Sequence, residues 1–249
     1  DRVPAGGAVV NHIALHCLTP TLPFGGVGAS GMGAYHGEWG FQALSHRKAV
    51  LEKTFALLAE GTGIPLADFE TAAADPTKYG LPKQAPSLEG FLFPATYDVA
   101  VPADADTLVT DQLAAFDATW ASVDMRYAAA HDLTPYDVLK IASIVEREAK
   151  APVDRAKVAA VIYNRLRQGM SLGMDSAVQY AVGSWRELTA ADLEVDSPYN
   201  LRVRRGLPPT PICNPGLAAM QAAAAPAKAD YLYMYAIKGD PQGRHYFTS

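Results

Sequence analysis

Two glutamates stand two positions apart in the run Leu139-Lys-Ile-Ala-Ser-Ile-Val-Glu-Arg-Glu-Ala149. Wound as a helix at about 100° per residue, this stretch gathers Val138, Ala142, Val145 and Ala149 on one arc, flanked by Leu139 and Ile141. Glu146 then falls inside one edge of the apolar arc, between Ala142 and Leu139. Glu148 falls at the opposite edge, beside Ile141 and Ile144, and Arg147 points away from the core. A carboxyl group packed against apolar side chains is costly to ionise, so its pKa rises. A general acid that works near neutral pH needs that shift. Positions i and i+2 do not face each other, so the two glutamates cannot flank one glycosidic bond as a carboxylate pair must. Either could serve alone as an acid/base. The helix by itself also accommodates both as rim charges paired with Arg147, Lys150 or Arg155.

Local signals place this helix. Thr134-Pro135-Tyr-Asp137 supplies an N-cap, a proline suited to the first helical position and an acidic residue at N3. Pro152 should stop the helix before it. A second helix is expected over about Asp154 to Gln168, with Val158, Val161, Ile162 and Leu166 buried and Gly169 just past its end. Upstream, helical spacing covers Thr54 to Glu60, Ala67 to Ala74 and Asp104 to Met125. The aromatic stretch Leu88 to Asp98 reads as a short strand bent at Pro94, packing Phe91, Phe93 and Tyr97. Downstream, Met174 to Val182 reads as a short helix entered at Asp175, and Leu217 to Ala225 as a helix of small residues. Tyr231 to Ile237 is the best strand, with His245-Tyr-Phe as its hairpin partner. The fold class expected is α+β, a helical layer carrying the glutamates packed on a small antiparallel sheet.

Composition narrows the function. The chain has 249 residues, a net charge of −5 and no Lys/Arg run, which argues against nucleic acid or an anionic surface as partner. No apolar run approaches the roughly 18–20 residues of a membrane span, and no signal peptide is visible. Cys17 and Cys213 could form at most a single bridge, and no Cys/His metal spacing occurs, so neither a metal nor a cofactor is expected. Gly26-Val-Gly-Ala-Ser-Gly31 satisfies the dinucleotide-binding pattern, but Pro20 and Pro23 precede it and further glycines follow it instead of a helix. A tight irregular backbone path is the better reading.

Several motifs run in one order: Leu88-Glu-Gly-Phe-Leu-Phe-Pro, Ile141-Ala-Ser-Ile-Val-Glu-Arg-Glu-Ala, Lys157-Val-Ala-Ala-Val-Ile-Tyr-Asn-Arg-Leu, Gly169-Met-Ser-Leu-Gly-Met-Asp, Ser197-Pro-Tyr-Asn, Gly206-Leu-Pro-Pro and Asn214-Pro-Gly. Together they resemble the endolytic murein transglycosylases, the YceG-like family, over about residues 53–249. The resemblance implies a lyase that cuts peptidoglycan glycan strands internally, between N-acetylmuramic acid and N-acetylglucosamine, leaving 1,6-anhydro ends. One glutamate would protonate the departing oxygen and then take the proton of the sugar's own 6-hydroxyl. Alignment of the motif puts that role on Glu146, with Glu148 as the alternative. Substrate-contact candidates are Glu148, Asn164, Asp175, Gln179, Tyr199 and Asn200; His245 reads as structural. The implied partners are peptidoglycan glycan strands and cell-wall synthesis proteins. The family is anchored in the cytoplasmic membrane facing the wall, and this chain is expected to lack that anchor.

Residues of about 8–51, with Val10-Asn-His-Ile-Ala-Leu-His and Leu22-Pro-Phe-Gly-Gly-Val-Gly-Ala-Ser-Gly, resemble instead the C-terminal end of aldehyde dehydrogenases. Cys17 is not in that family's catalytic motif. The expected division is therefore residues 1–52, a Gly-rich and poorly integrated fragment without catalytic machinery, and residues 53–249, a transglycosylase domain truncated at both ends. The alternatives are a glycan-binding fragment without activity or an aldehyde dehydrogenase remnant.

Overall fold

The computed structural model describes residues 51–99 and 102–249. The glycine loop, Cys17 and the rest of residues 1–50 lie outside them. The chain opens with α1 (Leu51–Thr62) and α2 (Leu66–Ala73), which pack through stacked Phe55 and Phe69 rings 5.6 Å apart. A 3-10 turn at Pro76–Tyr79 follows, capped by Asp75 and released by Gly80 at φ 72°.

The expected strand at Leu88–Asp98 is absent; the segment is an irregular loop. The reason lies in where its backbone donors go. Asn214 reaches in from far along the chain, and its Oδ1 accepts the N–H groups of Gly90 (2.7 Å) and Leu92 (3.1 Å). Gly90 stands at φ 94°, and a Cβ there would meet Pro211 Cγ at 2.5 Å, so the loop presses backbone against the Pro-rich segment. Phe91 is buried as expected, with Phe93 and Tyr97 packed partly against the core.

Helix α3 (Ala105–Trp120) starts from the Asp104 cap but ends before the expected Met125. The chain tightens there: Ser122 N–H and hydroxyl both donate to the Thr119 carbonyl, and Val123 N–H donates to Trp120. Asp124 then accepts the Arg126 N–H and starts the single turn α4 (Arg126–Ala129).

Helix α5 (Pro135–Glu148) is the centre of the fold. Its start is fixed by a reciprocal cap, with Thr134 Oγ1 accepting from Asp137 N and Asp137 Oδ2 accepting from Thr134 N. Val138, Leu139, Ile141, Ala142, Ser143, Ile144 and Val145 are all buried, a wider apolar arc than one helix face. A 3-10 turn (Pro152–Asp154) leads to α6 (Arg155–Arg167), which ends ahead of Gly169 at φ 63°. After α7 (Asp175–Ala181) and the single turn α8 (Ala190–Leu193), α9 (Leu217–Ala224) lies against both α5 and α6. Ala219, Ala222, Ala223 and Ala224 are buried in it, and short side chains let helices approach closely.

The hairpin forms as expected, with β1 (Tyr233–Ala236) and β2 (His245–Thr248) antiparallel in the register Tyr235↔Tyr246. Two strands alone are marginal in water. Met234 and Phe247 therefore turn toward the core, and α6 holds the ribbon through side chains. The architecture is α+β, a helical layer with a two-stranded sheet. No described helix is long and apolar enough to cross a membrane.

Asn214 is the buried clamp between two loops. Asn214→Ala leaves two buried N–H groups without acceptors, so a loss of about 3 kcal/mol is expected in urea unfolding. A loss below about 1 kcal/mol would show that the loops do not depend on it.

Candidate functional site

The last turn of α5 carries Glu146, Arg147 and Glu148, all half-buried, before Ala149 leaves the helix with extended backbone. Successive side chains on a helix diverge by about 100°, and the three meet three different segments. Glu146 turns toward α9, where its Oε2 accepts the N–H of Gly216 at 3.1 Å. Gly216 is the N-cap of α9. Glu148 turns toward α7, where its Oε1 accepts the N–H of Ser176 at 3.1 Å, in the first turn of that helix. Each carboxylate thus meets free backbone donors at the start of a helix. Arg147, expected to point away, is folded under the loop after α7, with its guanidinium 3.7 Å from the Trp185 ring centre.

Both carboxyls are held above their ordinary range, and burial is the main cause in each. The opposing terms differ. For Glu146, the Gly216 N–H and the guanidinium charges of Arg155 and Arg147 all favour the ionised form. For Glu148, the Ser176 hydroxyl and N–H pull back, the Asp175 carboxylate pushes further up, and His245 opposes it. Glu146 therefore sits among cations and Glu148 beside another acid. Nearby, burial pushes the Cys213 thiol well up, with the Glu146 and Glu89 carboxylates adding to the effect. Cys213 is a buried thiol that donates to the Ser143 carbonyl at 3.2 Å; Cys17, the other half of the possible bridge, lies outside the described residues.

The other expected site residues are distributed around this turn. Asp175 opens α7 but makes no side-chain cap; it is 57% exposed and pairs with Arg202 at 2.5 Å. Gln179 is half-buried and donates its amide to the Arg186 carbonyl at 2.8 Å. Tyr199 shares a hydrogen bond with Thr210 at 2.8 Å, its ring 4.8 Å from Tyr180. The two asparagines are turned inward. Asn200 is fully buried, and its amide donates to the carbonyls of Leu193 (3.0 Å) and Val195 (2.9 Å). Asn164 donates to the carbonyls of Ala229 (2.8 Å) and Tyr231 (2.9 Å), tying α6 to the hairpin entry. Both amides are engaged with backbone. A cavity of about 270 Å³ opens at the other end of α5, among Phe91, Trp120 and Tyr136. Among the described residues no group of three or more His, Cys, Asp or Glu side chains could hold a metal ion.

Nothing in the sequence marks Gly216, Ser176 and His245 as neighbours of the glutamates, whereas Arg155 is among the ion partners it suggests. Gly216 and Ser176 act through backbone N–H groups, which carry no residue-type signal. Arg155 was read only as a surface partner.

The fold agrees with what the chain resembles. The model of the YceG-like family matches residues 42–249. The chain belongs to that family. The match begins upstream of Lys53, where the family resemblance was expected to start. The crystal structure of a YceG-like protein from Listeria monocytogenes superposes with a TM-score of 0.71 at 32% identity, over 83% of this chain and 72% of that one. An endolytic murein transglycosylase from Bacillus subtilis is 40% identical over 153 residues, 60% of this chain. The YceG-like chain described here spans 42% of the length of that relative. A stretch of 55 residues, 22% of the chain, is 62% identical to an aldehyde dehydrogenase of Craterostigma plantagineum and covers 12% of it.

A carboxyl whose pKa is raised on folding contributes stability below its unfolded value, here 4.5, and loses it as pH rises through the folded value. Glu148→Gln keeps an acceptor for Ser176 but removes the ionisation. Relative to the unsubstituted chain, it should gain stability between pH 4.5 and neutrality in urea titrations. A difference that stays constant with pH would contradict the burial of this carboxyl.

Proposed function

We propose that this chain is a peptidoglycan lytic transglycosylase and that Glu148 carries the acid/base role. The observation behind the choice of carboxyl is the contrast in surroundings. A general acid must hold its proton until the substrate needs it. Burial raises both; the Gly216 N–H, Arg155 and Arg147 favour the ionised form of Glu146, while at Glu148 the Ser176 contacts and His245 favour the ionised form and the Asp175 carboxylate favours the protonated one. The motif alignment had favoured Glu146; the charges around the two groups favour its neighbour.

In this reading the Glu148 carboxyl gives its proton to the glycosidic oxygen of N-acetylglucosamine as the bond to C1 of N-acetylmuramic acid breaks. The 6-hydroxyl of the same muramic residue closes onto C1, and its proton passes to the carboxylate. The enzyme is restored and no water is consumed. One carboxyl suffices, which suits a turn whose two glutamates point apart. Glu146, bonded to the N-cap of α9 and flanked by arginines, holds the far wall. Asp175, Gln179 and Tyr199 line the Glu148 side, with half-buried or exposed polar groups suited to sugar hydroxyls and N-acetyl groups. Asn164 and Asn200 support the walls through backbone. The glycan strand is the substrate, the cell-wall face of the membrane is the place of action, and wall-synthesis proteins are candidate partners. Residues 1–52 form an aldehyde dehydrogenase-like piece without a part in this chemistry, and residues 53–249 form the catalytic domain.

Purified sacculi incubated with the 249-residue chain should release muropeptides with anhydro ends, identified by mass. Glu148→Gln should lower release by about 10²–10⁴-fold, and Glu146→Gln by less. Anhydro products from Glu148→Gln together with their loss in Glu146→Gln would return the role to Glu146. Binding to sacculi with no product from any form would favour a glycan-binding fragment.

A further inference from the structure

The cavity at the start of α5 is the deep end of a longer groove. It shares Tyr79, Leu113 and Asp117 with an open cavity of about 730 Å³ that follows the outer side of α3. The shared lining makes the two one depression, running from Asp106 to Trp120, about 21 Å at the rise of an α-helix. The deep end is apolar. The rings of Phe91, Phe116, Trp120 and Tyr136 line it, with Phe116 stacked on Trp120 at 5.4 Å. Its volume of about 270 Å³ suits one side chain rather than a whole small molecule. The shallow end is charged: Asp106, Asp111 and Asp117 line it against one cation, Lys78. Lys78 Nζ pairs with Asp106 at 2.7 Å and lies 4.7 Å above the Tyr79 ring. At the deep end, Lys140 Nζ is taken up by Asp137 at 3.5 Å and lies 4.7 Å above the Tyr136 ring. An ammonium between a carboxylate and a phenol ring thus occurs twice along the groove, supplied by the chain's own lysines. Asp111 and Asp117 are exposed and enter no ion pair among the described residues.

We propose that this groove binds an extended peptide segment of a partner protein, one that carries lysines followed by an apolar residue. The ammonium groups lie at Asp111 and Asp117, and the apolar side chain enters the ring-lined end beside Trp120. Six extended residues span about 20 Å, the length of the groove. Alternate side chains of such a segment point the same way about 7 Å apart, and Asp111 and Asp117 are about 9 Å apart along α3, a difference that flexible lysine stems absorb. Charge selects a peptide over a glycan strand. A neutral sugar gains nothing from two free carboxylates and an anionic one is repelled, whereas each ammonium is attracted. The site is separate from the glutamates: Tyr136 and Glu148 lie about 18 Å apart along α5. The proposal therefore stands independently of which reaction the glutamates perform.

Titration of the ¹⁵N-labelled 249-residue chain with the peptide acetyl-Lys-Ser-Lys-Ser-Leu-Ser-amide tests this. The chain has three tryptophans, and the indole N–H resonance lost in Trp120→Phe is that of Trp120. That resonance should shift saturably with peptide while that of Trp185 stays in place. Asp111→Asn and Asp117→Asn should each weaken binding about 2–5-fold. Alanine in place of the peptide's leucine should weaken it about 10-fold or more. Added salt should weaken the lysine peptide more than an analogue with glutamine at both lysines. Both aspartates are exposed, and an unchanged urea midpoint shows that the variants fold. No shift of the Trp120 resonance up to about 1 mM peptide overturns the proposal. So does equal binding of the glutamine analogue, or indifference to both aspartate variants. A shift produced by soluble glycan strands and not by the peptide would assign the groove to a saccharide instead. A shift on concentrating the chain alone would assign it to a second copy. Glu148→Gln should bind the peptide as the unsubstituted chain does, so failure of the catalytic reading and failure of this one are separate results.

Discussion

The end of α5 lies inside the protein, and that is the constraint on which the rest of the structure depends. The helix is buried through Val145, yet its next three residues are charged. Taking a charge out of water is costly unless other groups replace the lost hydration. The replacements come from segments distant in sequence: Gly216 for Glu146, Ser176 for Glu148 and Trp185 for Arg147. The mostly irregular stretch from Gly169 to Gly216 folds back over the end of α5 and supplies them. Its loops are long because they must reach three sides of one turn.

Close packing makes the backbone contacts possible. The alanines of α9 allow it to lie near α5, and the same approach brings the Gly216 N–H to Glu146. Ser143, in the middle of α5, accepts the Ile212 N–H at 3.0 Å and donates to its own Lys140 carbonyl. A larger residue at Ser143 would push the Pro-rich segment away and lengthen the bond to Glu146. Core packing and carboxyl chemistry are thus coupled through a few ångströms of backbone.

Much of this fold could be read from residue types. Thr134, Pro135 and Asp137 announce the start of α5, and the reciprocal cap forms as their chemistry requires. The β-branched and aromatic run before Ile237 pairs with His245-Tyr-Phe in a hairpin. The aromatic stretch after Leu88 misled because its composition suits a strand, while its donors are taken by a single side chain 122 and 124 positions away. The two edge glutamates were legible as candidates, but the difference in their surroundings was not. It depends on Arg155 and Asp175, which lie on neighbouring helices, and no periodicity along one helix reports on another. Asn164 and Asn200 show the same limit from the other side. An amide suits a sugar hydroxyl and a peptide carbonyl equally, and in both residues the carbonyls are engaged.

The Asn214 clamp has a mechanical consequence. Ile212, Cys213, Asn214 and Gly216 are each tied by a hydrogen bond to α5 or to the Gly90 loop, and the first three are fully or almost fully buried. The opposite flank, from Gly183 to Ser197, carries an exposed Arg186 paired with Asp192 and an exposed Arg204–Asp196 pair. Surface ion pairs of that kind contribute little to stability and are screened by salt; the rest of that flank hangs on the Asn200 amide at Leu193 and Val195, on Gln179 at Arg186 and on Arg147 under Trp185. The end of α5 is therefore bordered by one wall fixed through buried bonds alone and one that adds surface ion pairs to a few such bonds, so added salt weakens contacts in the second and not in the first.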